Sequence, residues 1–496
     1  MQQQPSSPRI VINVRKLKRI AFVILLLGFF VLWLLEGVQF VLRFLLFAPF
    51  WGLTIISFLL FALRRKKGWL LAGFLTFLIA LLGTPIRMVW WAGTFEQQFA
   101  SEPILSLQNF YHRRIIPREV ADHYARRSLT DSRYVLGELH PTMTAKGRLV
   151  WQAPVLPNSL EGKLSFGIDR VLEVLADTAE PAVDIYDIQL PWGGEGNFWN
   201  FHRLIAWWYD PLSEPQPPVY DVEHRVALIP LLRWYWRVPV FHGVFQVDST
   251  GDFTFLSPEE AAAKYPHLRL FPAALIRWQA ETWGLWRAGI LSRYFTKEGL
   301  YEVADIGPNP APLLLDNHDQ SLWVAPMEPV GKSFGLTGLL FCDAVTGTLF
   351  FWNTADKHIM SPSRALEVAL GYEEIAILKN TTAVEPKLTI ANGKIYWVVP
   401  IVPLNASQIQ KLALVDAASG KVRTFESYRA MWAFLEQPSS FAASIRRSAS
   451  SPTQQLQEIA RQLQELAIRI DSLRRMLQKN ESANQQQEQP IQETDR

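Results

Sequence analysis

The residues of this 496-residue chain that could do chemistry are nine histidines, one cysteine and a few acidic clusters. The sequence has no His-Glu-x-x-His, Gly-x-Ser-x-Gly, P-loop or dinucleotide-binding glycine pattern. The densest polar cluster, Asp316-Asn317-His318-Asp319, could hold a cation, but it lacks a complete ligand set, which favours a solvated loop. Cys342 lies in an apolar run and is interpreted as a packing residue. We therefore expect no enzyme, and assign no catalytic, cofactor-binding or metal-binding residue.

Aromatic residues are concentrated in the middle of the chain, at Trp199, Phe201, Trp207, Trp208, Tyr209, Trp234, Tyr235 and Trp236. Such side chains can present a surface to a carbohydrate or a peptide. They can equally stack inside the core of a repeated unit, and this second interpretation is the simpler one.

Charge is unevenly distributed along the chain. Residues 1–67 carry ten Lys/Arg and one acidic residue, whereas the remaining residues carry 39 basic and 45 acidic residues. The basic residues bracket apolar segments and form no stripe interleaved with aromatic platforms, so binding to nucleic acid is a poor interpretation. The pattern indicates an integral membrane protein.

Three apolar segments, 20–41, 44–63 and 68–86, are each long enough to cross a bilayer core of roughly 30 Å as a helix. Basic clusters at 15–19 and 64–67 precede the first segment and separate the second from the third. Because Lys and Arg in short loops stay in the cytoplasm, we expect three crossings within an anchor at 20–92. The basic N-terminus, 1–19, is then cytoplasmic, and everything after residue 95 is extracytoplasmic.

Two charged residues, Glu36 and Arg43, interrupt the apolar sequence. On one continuous helix they would share a face and mark a functional site within the membrane. The alternative, which we favour, places both at the turn between the first two spans with their heads reaching water.

The pattern Trp-x-(Ala/Val)-Pro-apolar occurs four times, beginning at Trp151, Trp236, Trp323 and Trp397. It predicts an internal repeat in which each copy contains an apolar strand. Because proline has no N–H to give to a sheet ladder, the proline is expected to end the pairing or to lie on an edge.

The last two copies are followed by two apolar strands joined through Asp-Ala-x-(Ser/Thr)-Gly, at 343–347 and 416–420, and a shortened version begins at Asp248. Aspartate can cap such a turn while glycine takes the left-handed position. Capped helices are predicted after Ser257-Pro258 and Ser361-Pro362.

Residues 361–425 resemble a PepSY domain, which combines a short Ala-rich helix, an antiparallel sheet and a closing hairpin, here Val415-Asp416-Ala417-Ala418-Ser419-Gly420-Lys421-Val422. Residues 295–351 resemble a looser second copy. The resemblance implies non-catalytic extracytoplasmic binding or inhibitory units, in some cases directed at proteases. It carries no catalytic residue over to this chain.

The C-terminal region has apolar residues at alternating steps of three and four: Leu456, Ile459, Leu463, Leu466, Ile470, Leu473 and Leu477. This spacing predicts a coiled coil at 453–479 and a homo-oligomer, although a helix docked on its own domain remains the alternative. A linker at 436–452 precedes it, and a disordered tail at 480–496 follows.

The predicted fold is therefore α+β: three membrane-spanning helices, repeats with long inserts at 95–290, tandem PepSY-like units at 295–435, and the coiled coil. The predicted function is a membrane-anchored extracytoplasmic binding or scaffold protein, with regulation of a partner protease or an envelope process as its expected role. Its expected partners are the lipid bilayer, further copies of the chain, and an unidentified extracytoplasmic protein or peptide. The alternatives are an oligomeric envelope-assembly or channel component and, least favoured, an extracytoplasmic enzyme.

Overall fold

The computed structural model describes residues 14–164, 167–178, 181–193, 198–307, 309, 311–317, 320–331, 335–405 and 408–436. The predicted linker beyond residue 436, the coiled coil at 453–479 and the tail at 480–496 lie outside the described residues. All the sheets of the described residues lie within the unit Met1–Met431.

Four helices open the described chain: α1 Val14–Leu34, α2 Gly37–Phe47, α3 Pro49–Arg64 and α4 Lys67–Glu96. Helices α3 and α4 pack antiparallel, with the Thr54 hydroxyl 3.1 Å from that of Thr76 and the rings of Trp51 and Phe77 5.6 Å apart. The basic cluster at 64–67 forms the turn of this helical hairpin.

The prediction of three continuous spanning helices is wrong. Among the described residues, only Lys67–Glu96 is long and apolar enough by itself to cross a membrane. The pair Phe22–Leu34 and Gly37–Phe47 would make a second span only as a helix bent by 73°. The predicted first segment breaks at Glu36, which has a φ of 62°, and the predicted second segment breaks at Ala48, so that α3 has 16 residues.

Repeated units of helix and antiparallel sheet follow, as predicted. Each of the four sheets has five strands in the same arrangement. The third strand pairs with the fourth, and the fourth with the fifth. On its other side, the third strand pairs with the first and second strands, which lie end to end. The first sheet comprises β1 Tyr134–Leu136, β2 His140–Met143, β3 Leu149–Pro157, β4 Ile168–Leu175 and β5 Val183–Leu190. The second comprises β6 Ser213–Pro215, β7 Val219–Asp221, β8 Val226–Tyr235, β9 Val238–Asp248 and β10 Phe253–Leu256. The third comprises β11 Tyr301–Val303, β12 Leu313–Asn317, β13 Gln320–Pro329, β14 Gly338–Asp343 and β15 Leu349–Asn353, and the fourth β16 Thr381–Ala383, β17 Lys387–Ala391, β18 Lys394–Pro403, β19 Lys411–Asp416 and β20 Val422–Phe425.

A helix precedes each sheet and completes the repeat: α5 Arg118–Ser128 in the first, α7 Phe201–Leu204 in the second, α9 Ala273–Trp286 in the third and α11 Pro362–Leu370 in the fourth. Two of these continue as further short helices, α7 as the π-helix Ile205–Tyr209, and α9 as α10 Gly289–Leu291 with the π-helix Ser292–Thr296. The remaining helices are α6 Leu160–Lys163, α8 Pro258–Lys264, the 3-10 turn Ala355–Lys357, α12 Glu373–Ala376 and α13 Tyr428–Glu436. The third repeat thus begins at Ala273, whereas the sequence placed a copy from about residue 295.

The proline of each third strand lies at the point where the strand's edge neighbour changes. Pro154, Pro230, Pro326 and Pro400 each fall in the two-residue gap between the residues paired with the second strand and those paired with the first. The carbonyl oxygen of each proline accepts a hydrogen bond from the backbone N–H of the residue that follows the first strand. These residues are Gly137, Gln216, Ala304 and Val384, and the distances are 2.8–3.1 Å. The missing proline N–H therefore costs no ladder bond. Of the two predicted alternatives, proline does not end the strand, because pairing with the fourth strand continues through it, and it lies instead where the pairing along one edge of the strand is interrupted.

Tryptophan marks the third strand in three repeats. The indole N–H groups of Trp151, Trp323 and Trp397 donate to the carbonyl oxygens of Ile116, Phe271 and Met360, each the residue immediately before a helix N-cap. In the second repeat, the equivalent position, three residues before Pro230, is Ala227. The predicted match at Trp236 is therefore a coincidence of sequence, because Trp236 lies in the turn between β8 and β9.

The turn chemistry follows the sequence prediction. The side chain of Asp343 accepts from the N–H groups of Val345 and Thr346, and that of Asp416 accepts from Ala418 and Ser419, at 2.8–3.0 Å. Gly347 and Gly420 have φ values of 75° and 71°. Ser257 and Ser361 cap their helices as expected, although α8 follows the second sheet and does not open the third repeat.

The largest core joins the repeats to the N-terminal helices. Met88, Trp91, Ala92 and Phe95, from the C-terminal part of α4, pack with α9 and with the faces of the first and third sheets that carry Trp151 and Trp323. The second core packs the other face of the third sheet against the fourth repeat, and the third core packs the first sheet against the second. The repeats are thus stacked through both faces of their sheets.

Candidate functional site

The second repeat contains an aromatic pocket with a volume of about 440 Å³. Among the described residues, its lining is predominantly apolar and consists of Trp192, Trp199, Leu204, Trp208, Tyr209, Phe245 and Phe253. Trp208 is 77% exposed at its rim, and Tyr209 and Phe253 are 47% and 40% exposed. Ligand pockets in proteins commonly have volumes of roughly 300–1,000 Å³ with mostly apolar linings, so this one has the dimensions of a binding site.

Local sequence explains how the pocket-lining helix is held. The side chain of Asn200 caps α7 by accepting from the backbone N–H of Arg203 at 2.9 Å. The helix then widens into the π-helix Ile205–Tyr209, a form frequently found at functional sites. This turn exposes Trp208 while the ring of Tyr209 lies 4.4 Å from that of Phe245. The helix and strand β9 thus form two adjacent walls.

Asp210 fixes the end of this helix. Its carboxylate accepts from the backbone N–H of Leu212 at 3.1 Å and from the side chains of Ser213 and Arg233. Burial alone would raise the pKa of Asp210, but these hydrogen bonds hold that pKa below its ordinary value. Burial, together with the charge of Asp210, raises the pKa of the Tyr209 phenol, which therefore stays protonated in the pocket wall.

The pocket occurs on the repeat that lacks the strand tryptophan. Ala227 pairs with Val247, and Phe245, two residues earlier on β9, shares the face of Val247 because side chains alternate along a strand. The core on this face holds Ala227, Phe245 and Phe201 of α7. Without an indole at position 227, the helix of this repeat packs against smaller side chains, and aromatic rings from the π-helix, β9 and β10 border the open space.

The same repeat docks on the N-terminal helices. The guanidinium of Arg203 lies 3.7 Å from the carboxylate of Glu36, and Arg43 donates to the carbonyl oxygen of Pro211 at 3.2 Å. The backbone N–H of Trp236 donates to the carbonyl of Leu46 at 2.7 Å. Glu36 occupies the bend between α1 and α2, but both charged heads are directed to the second repeat, which the sequence interpretation did not anticipate.

A second polar constellation, the Glu385 cluster, is buried where the first, third and fourth repeats meet. One Glu385 oxygen lies 2.7 Å from Nη2 of Arg114, and the other accepts from the Asn309 amide at 2.9 Å and from the backbone N–H of Arg118 at 3.0 Å. The Lys387 ammonium, fully buried, lies 3.9 Å from Glu385 and donates to the carbonyl of Ile115.

The electrostatics of the Glu385 cluster are dominated by burial. Burial lowers the pKa of Lys387 to about 7, opposed by the charge of Glu385. Burial and the charge of Glu385 raise the pKa of Glu119, whose Oε1 accepts from Asn309 at 2.8 Å. Removing one partner of such a buried ion pair is strongly destabilising, because it leaves a buried charge uncompensated. The cluster ties segments 271 residues apart in sequence, which no local pattern could reveal.

The residues singled out from the sequence are distributed over several environments. Trp199, Trp208 and Tyr209 line the pocket, Phe201 and Trp207 are buried in the core, and Trp234 and Trp236 pack against Phe47 and Phe50 at the helices. Asp316 is buried in an ion pair with Arg113, while His318 and Asp319 lie outside the described residues. Cys342 is fully buried, as expected of a packing residue. Over the described part of the chain, no group of three or more His, Cys, Asp or Glu side chains is arranged to hold a metal ion.

The pocket-lining residues Trp192, Leu204, Phe245 and Phe253 were not identified from the sequence, because their convergence depends on the register of β9 and β10. Comparison of the sequence with known protein families found no match, and comparison with curated proteins found none either.

Proposed function

We propose that this chain is a membrane-anchored, extracytoplasmic binding or scaffold protein that is not an enzyme. In this proposal, α4 crosses the membrane, and the four repeats form the outer region. The repeats act as PepSY-like modules that bind a protein or peptide partner.

The observation that carries the proposal is the distance between two features at opposite ends of the α3–α4 hairpin. The basic turn at 64–67 is at one end, and the Trp236 hairpin of the second repeat contacts Leu46, Phe50 and Gly83 at the other. From Lys67 to Gly83 a helix rises about 24 Å, close to the thickness of a bilayer core. With the cations in the cytoplasm, the repeats lie outside.

Helices α1 and α2 support the same orientation. Helix α1 runs from the basic residues at 15–19 to Glu36 beside Arg203 of the second repeat, and its 21 residues rise about 31 Å. Its apolar side chains from Phe22 to Leu32 are 45–71% exposed, as expected in lipid. The bend then turns α2 beneath the second repeat, with Phe40 and Val41 exposed and Gln39 buried.

The repeated helix and five-stranded sheet, closed by Asp-Ala-x-(Ser/Thr)-Gly turns in the last two copies, support the PepSY-like interpretation of those modules. That resemblance favours binding over catalysis. Four copies packed through shared cores also suit a scaffold.

The topology is tested by cysteine labelling of the full chain in intact cells. The native Cys342 is buried, and burial raises the pKa of its thiol well above the ordinary value, so the wild type gives a low background. A membrane-impermeant maleimide should label Ile377→Cys in intact cells, because Ile377 is 72% exposed in the fourth repeat. It should label Lys66→Cys only after permeabilisation. The opposite pattern, or labelling of both variants only after permeabilisation, would refute the anchored topology.

Assembly through the coiled coil at 453–479 belongs to the same proposal. Light scattering of the detergent-solubilised full chain should give a multiple of the 56.7 kDa chain mass. The seam substitution Leu463→Asp should reduce this mass to that of one chain, and the neighbouring Gln464→Asp should leave it unchanged. An oligomer that survives Leu463→Asp would exclude the seam as the contact.

A further inference from the structure

We propose that the aromatic pocket of the second repeat binds the hydrocarbon chain of a membrane lipid. This inference rests on the proposed function, because it requires the second repeat to lie at the outer membrane surface.

The chemistry of the lining selects an apolar ligand. All seven lining residues among the described part of the chain are aromatic or aliphatic, and none of these seven side chains carries a carboxylate, amide or guanidinium group. A carbohydrate would leave its hydroxyl groups without the polar partners that orient sugars in binding sites, and burying them unpaired is unfavourable. A hydrocarbon chain gives up no hydrogen bonds when it enters such a pocket. It also removes the faces of Trp208 and Phe253 from water.

In the proposed topology, the pocket lies next to the membrane, which is a source of hydrocarbon chains. Leu204 lies beside Arg203, which pairs with Glu36 at the α1–α2 bend. Tyr209 is two residues before Pro211, whose carbonyl accepts from Arg43 of α2. The helix that lines the pocket is therefore held at both ends against the segment that the proposed topology places at the membrane surface. A lipid chain could enter from the outer leaflet without crossing bulk water.

Photocrosslinking tests the inference with the full chain in nanodiscs of equal parts phosphatidylcholine and phosphatidylglycerol, doped with a phosphatidylcholine that carries a diazirine in its acyl chain. We expect mass spectrometry to locate crosslinks at residues 198–209 in addition to the exposed faces of α1, α3 and α4. A diazirine placed in the headgroup should not crosslink to Leu204.

Substitutions of Trp208 at the pocket rim test whether the crosslinks at 198–209 come from lipid bound in the pocket. Trp208→Glu places a charge at the mouth and should reduce the 198–209 crosslinks about tenfold, whereas Trp208→Phe should retain them. Because Trp208 is 77% exposed, neither substitution should alter the melting temperature. Ile377→Glu, at a similarly exposed apolar residue of the fourth repeat, is the matched control and should change nothing.

Three results would overturn the lipid site. The first is the absence of crosslinks at 198–209, and the second is crosslinks that persist in Trp208→Glu. The third is loss of the 198–209 crosslinks when a tryptophan-rich peptide is added as competitor, but not when a free fatty acid is added. If cysteine labelling still shows Ile377→Cys outside, any of these results removes the lipid site and leaves the proposed anchored scaffold intact.

Discussion

The indole nitrogen of Trp397 donates a 2.9 Å hydrogen bond to the carbonyl oxygen of Met360, and the backbone N–H of Met360 donates in turn to the carbonyl of Ala417. Met360 is thus held between the third and fourth strands of its own sheet just before the chain enters α11. Trp151 with Ile116 and Trp323 with Phe271 repeat the relationship between indole and helix start. This bond fixes where each helix starts relative to its sheet.

Replacing Trp397 with phenylalanine tests the strength of this bond. The substitution keeps an aromatic ring but removes the buried donor, and should cost about 1–3 kcal/mol of unfolding free energy. The loss would be measured as a lower midpoint of thermal unfolding of the solubilised chain. Trp208→Phe, at an exposed indole, is the matched control. Equal midpoints for the two variants would contradict a structural role for the Trp397 bond.

The Glu385 cluster should respond unequally to removal of its anion and of one cation. Glu385→Ala leaves Arg114 and Lys387 buried without their counter-charge and should destabilise the protein by about 3–5 kcal/mol. Lys387→Met removes a group whose charged form burial already disfavours, and should change stability by less than about 1 kcal/mol. Both are measured by unfolding of the solubilised chain.

The partly exposed Glu138, which pairs with Arg118, provides the control for the Glu385 cluster. Glu138→Ala should have an effect within about 1 kcal/mol, as is usual for surface ion pairs. If Lys387→Met were as damaging as Glu385→Ala, the cluster would be a net source of stability and not a device for specifying packing.

Glu173 should make stability fall as pH rises through the weakly acidic range. Burial raises its pKa to about 7, while its carboxyl accepts from the Gln152 amide at 2.9 Å. Between about pH 4.5 and 7 the folded state keeps a proton that the unfolded state has lost, so stability decreases with pH across this window. Glu173→Gln should abolish this contribution, which is on the order of 3 kcal/mol.

The Glu173 prediction is checked by melting temperatures of wild type and Glu173→Gln over this range. The two should converge near pH 4, with the variant melting higher at pH 8. Glu161→Gln, at an exposed position, should follow the wild type throughout. A constant difference between wild type and Glu173→Gln would show that Glu173 does not titrate in this window.

Gly83 should be required for docking of the second repeat on α4. A Cβ atom at this position would lie 3.1 Å from the Trp236 ring, so Gly83→Leu must displace the hairpin and should cost about 1–3 kcal/mol. Gly28→Leu in α1 is the control, because nothing lies within 4 Å of a Cβ built there. Thermal unfolding of both variants measures the difference, and equal stability would argue against the observed contact.

The sequence predicted local structure correctly where the residues that determine it lie within one short segment. Aspartate and glycine fix the turns at 343–347 and 416–420, and serine followed by proline fixes the starts of α8 and α11, so these elements were predicted correctly. The repeat itself was also recognised, because the Trp and Pro positions of three copies serve the same hydrogen bonds in each.

The errors come from interactions that short patterns do not contain. Trp236 fits the repeated sequence pattern, but the strand register places Ala227 at the position that tryptophan occupies in the other three repeats. Glu36, where the helix breaks, pairs with Arg203, 167 residues away, and hydropathy alone continued the helix through this position. The Glu385 cluster and half of the pocket lining depend likewise on contacts between distant segments, and these appear only after the repeats have stacked.

The prolines of the third strands have a consequence for folding fidelity. Four sheets of one design within a single polypeptide are at risk of exchanging strands, since each offers similar partners to the others. One edge of every sheet is made of two strands of only three to five residues, separated at the proline. An incoming strand meets no continuous row of unpaired amides along that edge, which discourages both cross-pairing between copies and aggregation between molecules.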